Sequence, residues 1–246
     1  MLGQWLELSV QAPDMLGSLA YYKSLGFHEL LIGDTWTHRY AVVSDGALCI
    51  GLHDREFDSP ALTFVQPDVA HRALAMTDHG FEFSLMKLDA DEFNQLHFHD
   101  RDGHALWMIE ARTFSPPADD ASDSVCGTWF ELTLPAEDVL RAGRFWAPLA
   151  PHLLQLREEP TTHMRFDARG MAVGLSESIA LNAPALCFKC RDRERFWSAV
   201  KRHGLRAQKY PGFEGAFAKL VAPEGTGLYL FDEDFLGESY VVDETD

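Results

Sequence analysis

Two glutamates occupy matching positions in strand-like segments and are the side chains best suited to chemistry. Glu7 lies in the run WLELSVQ and Glu131 in the run WFELTLP, 124 residues later. The alternation of apolar residues in each run predicts a strand whose glutamate faces away from the side that packs on a helix. A carboxylate beside tryptophan in a partly apolar cleft could act as a general base or bind a ligand amine or hydroxyl. The alternative interpretation is a structural glutamate, bonded to backbone or to an arginine across the cleft.

Several aromatic and hydroxyl side chains are predicted to share the face of these glutamates and to bind a ligand there. Residues two apart on a strand point to the same side, which places Trp5, Ser9, Trp129 and Thr133 beside the carboxylates. Aromatic rings can stack on a planar ligand, or they can fill the cleft as core, and the sequence favours neither. The further ligand-binding candidates, on later strands, are Trp36, His38, Tyr40, Trp107 and Tyr229.

A histidine pair gives the strongest signal for a metal. His97 and His99 are two apart on a predicted strand, so both rings could reach one ion, with Glu7 as a further ligand. His53 or His104 could add another nitrogen, but no spacing fixes it. The pair has no counterpart in the second half of the chain. No cofactor is therefore favoured, although a divalent metal is possible.

The elements that must position these residues recur along the chain. Besides the two glutamate strands, the sequence PAL at 60–62 recurs at 184–186, again 124 residues later. Within the first half, ELSVQAPD at 7–14 resembles ALTFVQPD at 61–68, an offset of 54 residues. Separated matches that keep one order indicate two halves, each built from two copies of a unit of about fifty residues.

Each unit has the pattern of a strand, a helix and three further strands. In the first unit, the alternation around Glu7 predicts a strand, and Asp14 offers a helix N-cap. Leu19 and Tyr22 follow at helical spacing, and Gly26 supplies a left-handed stop. The three short strands that follow are predicted at about 28–32, 36–43 and 47–53.

The repeat predicts a first domain over residues 1–112 and a second domain over residues 126–234. Residues 113–125 hold two prolines, three aspartates and several small residues. This composition is typical of a linker, and it falls where the repeat requires a boundary. The acidic stretch 235–246 is predicted to be a tail.

Charge and composition narrow the choice of partners. The chain has 246 residues, and 38 acidic against 21 basic side chains give a net charge of −17. Such a surface repels nucleic acid and anionic membranes, so neither is an expected partner. A small-molecule ligand is expected, bound by a monomer or a homodimer. A cytoplasmic location is expected as well, because no signal peptide or membrane span is evident and the 4 cysteines form no disulfide scaffold.

These features resemble the vicinal-oxygen-chelate superfamily, which contains glyoxalases, bleomycin-resistance proteins and extradiol dioxygenases. The stretch LAYYKSLGF at 19–27, after a strand and an aspartate, resembles the opening signature of that family, and DRDG at 100–103 resembles its closing signature. The resemblance covers nearly the whole chain. It implies an α+β fold in which four βαβββ units pair into two cupped half-barrel mixed sheets, with helices on the outside.

The resemblance also implies where a metal would bind, and the sequence departs from the family at those positions. Family members take ligands from the first and last strands of each unit. A catalytic metal usually needs about three protein ligands, and here only the two glutamates could bind a cation. Both halves depart in the same manner, which argues against the usual metal site. The corresponding residues are Glu7, Gly51, Ala61 and Trp107 in the first half, and Glu131, Gly174, Ala185 and Tyr229 in the second.

Three functions are compatible with the sequence. The first, which the resemblance to bleomycin-resistance proteins implies, is binding of a small, planar or amphipathic molecule in an aromatic-lined cup without the usual metal. The alternative is a metal-dependent lyase, isomerase or dioxygenase with a relocated glutamate and histidine site, whose ion would polarise two vicinal oxygens. The third is a protein-interaction module that docks a basic partner on its acidic surface. Whether the protein is an enzyme stays open at this point.

Overall fold

The computed structural model describes residues 1–31, 38–89, 93–111, 124–159, 161–210 and 215–233. The first half contains β1 Gln4–Gln11, α1 Met15–Ser24, β2 His28–Leu30, β3 Tyr40–Ser44, β4 Cys49–His53, β5 Ala61–Gln66, α2 Val69–Asp78, β6 Leu85–Lys87, β7 Gln95–His99 and β8 Ala105–Glu110. The second half contains β9 Thr128–Pro135, α3 Val139–Trp146, β10 His152–Arg157, β11 His163–Asp167, β12 Ala172–Ser176, β13 Ala185–Cys190, α4 Arg193–His203, β14 Ala207–Gln208, β15 Ala218–Val221 and β16 Gly227–Asp232.

Within the described residues, each half forms one eight-stranded mixed sheet. The strand order is β2-β3-β4-β1-β5-β8-β7-β6 in the first half and β10-β11-β12-β9-β13-β16-β15-β14 in the second. The first strand of a unit runs parallel to its last strand, and the two units of a half join through an antiparallel pair of their first strands. The predicted α+β fold is therefore confirmed: four βαβββ units pair into two cupped half-barrel mixed sheets, with the helices outside the cups.

The four helices of the described ranges begin in the same way, which explains why the repeat can be recognised in the sequence. Each starts after an aspartate whose carboxylate accepts a hydrogen bond from the backbone N–H three residues later. This bond satisfies one of the donors that the first turn of a helix leaves open. The pairs of aspartate and donor are Asp14 with Gly17, Asp68 with His71, Asp138 with Arg141, and Asp192 with Arg195.

The helices pack on the convex faces, and one apolar cluster joins them to both sheets. Several hydrogen bonds cross between the halves within this region, and two of them involve aromatic side chains of the helices. The hydroxyl of Tyr22 in α1 donates to Glu224, in the turn before β16, at 2.6 Å. The indole of Trp146 in α3 donates to Asp100, in the turn before β8, at 3.2 Å. The first helix of each half is thus anchored to the last hairpin of the other half.

The first strand of the first half contains a β-bulge that the alternation pattern did not reveal. Where β1 pairs with β5, Trp5 lies opposite Phe64 and Glu7 opposite Thr63, so Leu6 has no residue opposite it. The extra residue reverses the alternation, and Trp5 packs edge-on against Phe64 in the convex core. The prediction that Trp5 faces the cup beside Glu7 is therefore wrong.

The second half repeats this irregularity in β9. Trp129 lies opposite Phe188 and Glu131 opposite Cys187, which leaves Phe130 as the extra residue. Trp129 belongs to the convex core, where its indole donates to the backbone oxygen of Glu131 at 3.0 Å. The prediction that Trp129 faces the cup is wrong for the same reason. Phe130 instead packs with the aromatic residues of the concave side.

Several sequence predictions fall outside the described residues. Trp36 and the tail at 235–246 lie wholly outside, and the linker at 113–125 overlaps the described chain only at Ser124 and Val125. The domain boundaries at 112 and 126 stay predictions. Within the described ranges, no helix has the length and apolar character needed to cross a membrane.

Candidate ligand-binding site

The concave face of the first sheet carries a cavity of about 290 Å³. We call this face, with Glu7, Ser9, Thr63 and Trp107 on it, the first cup. The volume lies near the lower end of the roughly 300–1,000 Å³ that is typical of ligand pockets, so it suits a compound of about one ring. Five of the residues singled out in the sequence line the cavity: His38, His53, His97, His99 and Trp107.

Glu7 lies beneath the cavity, where it anchors three side chains. It is 1% exposed, and its Oε1 accepts hydrogen bonds from the Ser9 hydroxyl at 2.8 Å and from Nε2 of His53 at 3.1 Å. Its Oε2 accepts a hydrogen bond from the Tyr40 hydroxyl. The Ser9 and Thr63 hydroxyls are 2.7 Å apart. Both carboxylate oxygens are thus engaged, and these contacts favour the structural interpretation of Glu7 over a free general base.

A chain of two histidines connects this buried carboxylate to the cavity. Nδ1 of His53 lies 2.8 Å from Nε2 of His38, and both rings line the cavity. Because a carboxylate only accepts, Nε2 of His53 carries the proton that faces Glu7. In the tautomer of His53 that carries this proton alone, Nδ1 accepts from Nε2 of His38. Burial and the neighbouring His53 and Arg55 lower the pKa of His38, whereas Asp54 opposes the shift. The carboxylate therefore fixes the orientation of two imidazoles at the cavity wall.

His97 and Trp107 form an aromatic wall of the cavity. Their rings stack with centroids 4.5 Å apart and planes 12° apart, and Phe57 tilts against Trp107 at 4.6 Å. Burial, with smaller effects of Arg55 and His99, lowers the pKa of His97 to about 4, so this imidazole is neutral at pH 7. Its Nε2 has no hydrogen-bond partner among the described residues. A neutral imidazole in this position can donate to or accept from a ligand.

The histidines of β7 share one face, as their spacing predicted, but their rings have different neighbours. Nε2 of His99 lies 3.2 Å from the carboxylate of Asp58, while His97 stacks on Trp107. Arg55 also lines the cavity and is exposed. The cavity wall therefore combines aromatic rings with a guanidinium that can reach an acidic ligand.

The concave face of the second sheet is built around a different network, and we call it the second cup. Glu131 is 3% exposed, and its Oε1 accepts a hydrogen bond from the Thr133 hydroxyl. Nε2 of His163 lies 3.2 Å from Oε1, and Nε of Arg165 lies 3.3 Å from Oε2. The arginine gives Glu131 the ion pair that the structural interpretation anticipated. Its predicted catalytic role therefore has no support from these contacts.

The second cup lacks the histidine chain of the first. In the first sheet Tyr40 lies opposite His53, and the corresponding pair in the second sheet is His163 opposite Ser176. A serine thus stands where the first cup has the ring that links carboxylate to cavity. The two carboxylates are equivalent in the repeat, but only Glu7 is connected to a second imidazole.

Aromatic packing fills the second cup around Tyr229. This side chain is 1% exposed and belongs to a cluster that includes Leu181, Cys187 and Ala216. The ring of Tyr210 meets it edge-on, with centroids 5.7 Å apart. The sequence left open whether the aromatic residues at these positions line a pocket or act as core. Trp107 lines a cavity, whereas Tyr229 is packed as core.

The ion pair of the second cup changes the titration of Glu131. Burial raises the pKa of this carboxyl, but the charge and hydrogen bond of His163, the Thr133 hydroxyl and Arg165 together lower it below the usual value of 4.5. A carboxyl whose pKa is lower in the folded state contributes stability above its unfolded pKa. That contribution is lost as the pH falls through the folded pKa.

We expect Glu131→Gln to lower the free energy of unfolding at pH 7 by about 1–3 kcal/mol, because a buried charge-assisted network is lost. The difference from the unsubstituted protein should shrink as the pH falls below about 4.5, where Glu131 of the unfolded chain becomes protonated, and it should disappear below the lower pKa of the folded state. Urea unfolding at a series of pH values measures this difference in the free energy of unfolding. The exposed Glu29→Gln variant is the control for removal of a charge. A difference that stays constant down to about pH 3, well below the usual pKa of 4.5, contradicts the assignment.

The residues at the family's metal positions of the first cup do not fit a divalent ion. Gly51 and Trp107 offer no ligand atom, and both oxygens of Glu7 already accept hydrogen bonds. The sheet register places Thr63 opposite Glu7, whereas Ala61 lies opposite Ser9. The Thr63 hydroxyl is itself within hydrogen-bond distance of Ser9. A metal needs about three protein ligands, which this donor set does not provide.

A relocated site is not formed by the other candidate ligands either. Glu7 lies beneath His53, while His97 and His99 are on the cavity wall. His104 is held in the turn before β8, where its Nδ1 lies 2.8 Å from a carboxylate oxygen of Asp100. Across the ranges that the structure describes, no three histidine, cysteine, aspartate or glutamate side chains are placed to hold an ion.

Several cavity residues carried no signal in the sequence. Arg55, Phe57 and Asp58 lie in the connection between β4 and β5, where no periodic pattern indicates which side chains turn inward. In the second cup, His163 and Arg165 were not identified. A strand-by-strand comparison of the two halves would have placed His163 at the position of Tyr40, because their registers correspond.

Comparison with known proteins identifies the fold through solved structures alone. No protein-family model matches the sequence, and no curated protein matches it. A variant of homoprotocatechuate 2,3-dioxygenase from Brevibacterium fuscum aligns with a TM-score of 0.64 and 13% identity, covering 100% of this chain and 74% of that one. 2,2',3-Trihydroxybiphenyl 1,2-dioxygenase from Sphingomonas wittichii aligns with a TM-score of 0.60 and 17% identity, covering 94% of this chain and 90% of that one. The Mn(II)-bound glyoxalase from Novosphingobium aromaticivorans aligns with a TM-score of 0.62 and 11% identity, covering 94% of this chain and 82% of that one.

These neighbours are extradiol dioxygenases and a glyoxalase, and they cover most of the chain. The vicinal-oxygen-chelate fold that the sequence resembles is thereby confirmed. At identities of 11–17%, the likeness establishes the fold and not the chemistry.

Proposed function

We propose that the first cup binds a small, planar molecule that carries an acidic group. The observation that carries the proposal is the cavity of about 290 Å³ in which aromatic rings and a guanidinium converge. Phe57, His97 and Trp107 supply flat surfaces, which favour a planar ligand. Arg55 supplies a charge that pairs with a carboxylate or phenolate.

The polar atoms of the cavity support the same class of ligand. Glu7 holds His53, and His53 holds His38, so these two rings keep a fixed orientation at the wall. The Nε2 atom of His97 is buried without a hydrogen-bond partner among the described residues, and a ligand oxygen would satisfy it. A preorganised wall of this kind lowers the ordering cost of binding.

Paired probe compounds test the proposal. Benzoate and 2-hydroxybenzoate are planar acids, benzamide is a neutral molecule of the same shape, and cyclohexanecarboxylate is a non-planar acid. We expect the two planar acids to raise the melting temperature and to shift amide resonances of cup residues at millimolar concentration. Benzamide and cyclohexanecarboxylate should bind at least about tenfold more weakly, since each lacks one of the two recognition elements. Treatment with EDTA should leave the binding unchanged.

Two variants and one control locate the binding. Arg55→Gln should weaken the binding of benzoate by about tenfold or more, which is the effect of losing one charge-assisted hydrogen bond. It should leave the binding of benzamide unchanged. Trp107→Leu should weaken the binding of both benzoate and benzamide. Arg39→Gln is the matched control, because Arg39 is exposed near the same strands but does not line the cavity. If none of the four compounds binds, or if Arg39→Gln and Arg55→Gln behave alike, the proposal is wrong.

A second candidate function is metal-free proton transfer on such a ligand. The specific observation is the hydrogen-bonded sequence from Glu7 through His53 to His38, in which a buried carboxylate stabilises a proton on an imidazole. Ligands found in the binding experiment can be incubated in D₂O and examined for deuterium at carbon. Exchange that is lost in His38→Gln, with ligand binding retained, supports this candidate. Exchange at the same rate with and without the protein excludes it for those ligands.

A further inference from the structure

Strand β10 forms a long and apolar edge of the second sheet. Within the described residues, the two sheets end at β2, β6, β10 and β14. Three of these strands span only two or three residues, whereas β10 spans six, His152–Arg157. An edge strand presents a row of backbone donors and acceptors to any chain that can pair with it, and natural proteins commonly keep such strands short. The length of β10 departs from this pattern.

Three leucines of β10 are exposed, although the strand continues the apolar convex side of the sheet. Leu153, Leu154 and Leu156 are between 39% and 46% exposed. Leu153 lies opposite Phe166 of β11, and Leu156 lies opposite Met164. Both β11 residues belong to the convex core cluster. The core therefore ends in leucines that face water, and covering them would be favourable.

The charge of the strand favours an apolar contact over an ionic one. The chain has a net charge of −17, but the six residues of β10 include no acidic side chain and one arginine, Arg157. The acidic residues Glu158 and Glu159 come after the strand has ended. A basic partner would be attracted by the chain as a whole, but it would meet no carboxylate on this strand.

The strand is complementary to a second copy of itself. When two copies pair antiparallel about a two-fold axis between Leu154 and Gln155, Leu153 of each copy lies opposite Leu156 of the other. Both of these leucines lie on the convex side, so one pairing covers them and continues the core across the axis. Such a contact is closed, because it uses the β10 edge of both copies and leaves none of it for further growth.

We propose that β10 forms a two-fold interface between two copies of this chain, through which their second sheets join edge to edge. The β-bulge at Leu154, where the register between β10 and β11 shifts, limits the length of regular pairing. A contact centred on one strand of about 20 Å is also smaller than the roughly 1,200–2,000 Å² of a stable interface. The dimer is therefore reversible and of modest affinity.

Sedimentation velocity of the chain over roughly 1–300 µM tests this proposal. At about 0.15 M salt we expect a monomer–dimer equilibrium with a dissociation constant of about 10–100 µM. The double variant Leu153→Lys/Leu156→Lys should raise this constant by about tenfold or more, because it places ammonium groups opposite each other. The matched control Leu16→Lys/Leu74→Lys adds the same charge at exposed leucines of α1 and α2. It should keep the constant within about twofold.

Two measurements on the unsubstituted protein do not depend on how the variants fold. Amides of β10 should exchange hydrogen more slowly at about 300 µM than at about 1 µM protein, because pairing protects them. Raising the salt to about 0.5 M should leave the dimer at least as stable, since salt screens the repulsion between two chains of charge −17. An affinity that falls by more than about tenfold at the higher salt means an ionic contact and overturns the proposal.

The remaining outcomes separate this interface from other modes of association. A monomer throughout the concentration range overturns the proposal, as does equal loss of the dimer in the two double variants. Slower exchange elsewhere in the chain, with no change in β10, overturns it as well, because the copies then meet at another surface. Unfolding curves show whether each variant keeps the fold. Benzoate binding should be the same in the monomeric variant, because β10 belongs to the second sheet and the ligand cavity to the first.

Discussion

Glu7→Ala is expected to lower the free energy of unfolding by about 3–5 kcal/mol. The carboxylate is 1% exposed and accepts hydrogen bonds from Ser9, His53 and Tyr40. Truncation removes the acceptor that these three buried or half-buried donors share, and it leaves a polar void beneath the cavity. Chemical unfolding of the variant and of the unsubstituted protein, followed by tryptophan fluorescence and circular dichroism, measures this loss in the free energy of unfolding.

Two companion variants define the reason for the loss. Glu7→Gln keeps the shape and one acceptor oxygen, and the Tyr40 hydroxyl can rotate to accept from the new amide, so the cost should fall to about 1–2 kcal/mol. Glu29→Ala removes an exposed glutamate and its salt bridge to Lys23, for which the expected change is below about 1 kcal/mol. If Glu7→Ala is no more destabilising than Glu29→Ala, the hydrogen-bonded network around Glu7 is not a source of stability.

Gly51→Ala is expected to lower the free energy of unfolding by about 2–3 kcal/mol because the new methyl group would overlap the Glu7 carboxylate. A Cβ atom at Gly51 would lie less than 3.0 Å from both carboxylate oxygens and from Cδ. The carboxylate is held by three hydrogen bonds and cannot move aside without breaking them. The absence of a side chain at residue 51 is therefore a condition for the buried network.

Gly227→Ala is the matched control, since Gly227 also lies in a strand. There a Cβ would meet its nearest neighbour, the ring of Tyr229, at 3.4 Å, an ordinary contact distance. The corresponding position of the first sheet is already alanine, Ala105, which lies opposite Ala61 as Gly227 lies opposite Ala185. We expect no loss of stability, or a gain of about 0.5 kcal/mol from the stiffer unfolded chain.

A double-mutant cycle shows whether Gly51 acts through Glu7. In the Glu7→Ala background the overlap disappears, so Gly51→Ala should cost less than about 1 kcal/mol there. Additive effects of the two substitutions would mean that Gly51→Ala is destabilising for a reason unrelated to the carboxylate.

Both cups show how one repeated unit acquires different properties. Glu7 and Glu131 are equivalent in sequence and in sheet position, but Glu7 is bonded to His53 and Glu131 to His163 and Arg165. In the first cup the chain of imidazoles ends at a cavity. In the second, Tyr229 and its neighbours are packed as a core cluster. The functional proposals therefore assign ligand binding to the first cup and a stabilising role to the network of the second.

The architecture could be predicted from the sequence because it rests on local signals that recur. An aspartate before each helix and the alternation in the first strand of each unit are encoded within a few residues, and backbone sterics and capping act over the same range. Repetition of these signals four times fixed the order of the elements. The pairing of β1 with β5, and with it the two cups, followed from the resemblance that this order carries.

The site depended on contacts that no local pattern encodes. The bulge at Leu6 adds one residue to a strand whose alternation looks continuous, and it turned Trp5 out of the cup where the pattern had placed it. The bond between Glu7 and His53 joins residues in β1 and β4, and it depends on sheet register. Arg55 and Phe57 reach the cavity from a connection without periodicity. Sequence alone thus determined the backbone architecture, because it is set by short-range sterics and hydrogen bonds. Tertiary structure alone decided which equivalent carboxylate is linked to a cavity, because that depends on side chains brought together from distant segments.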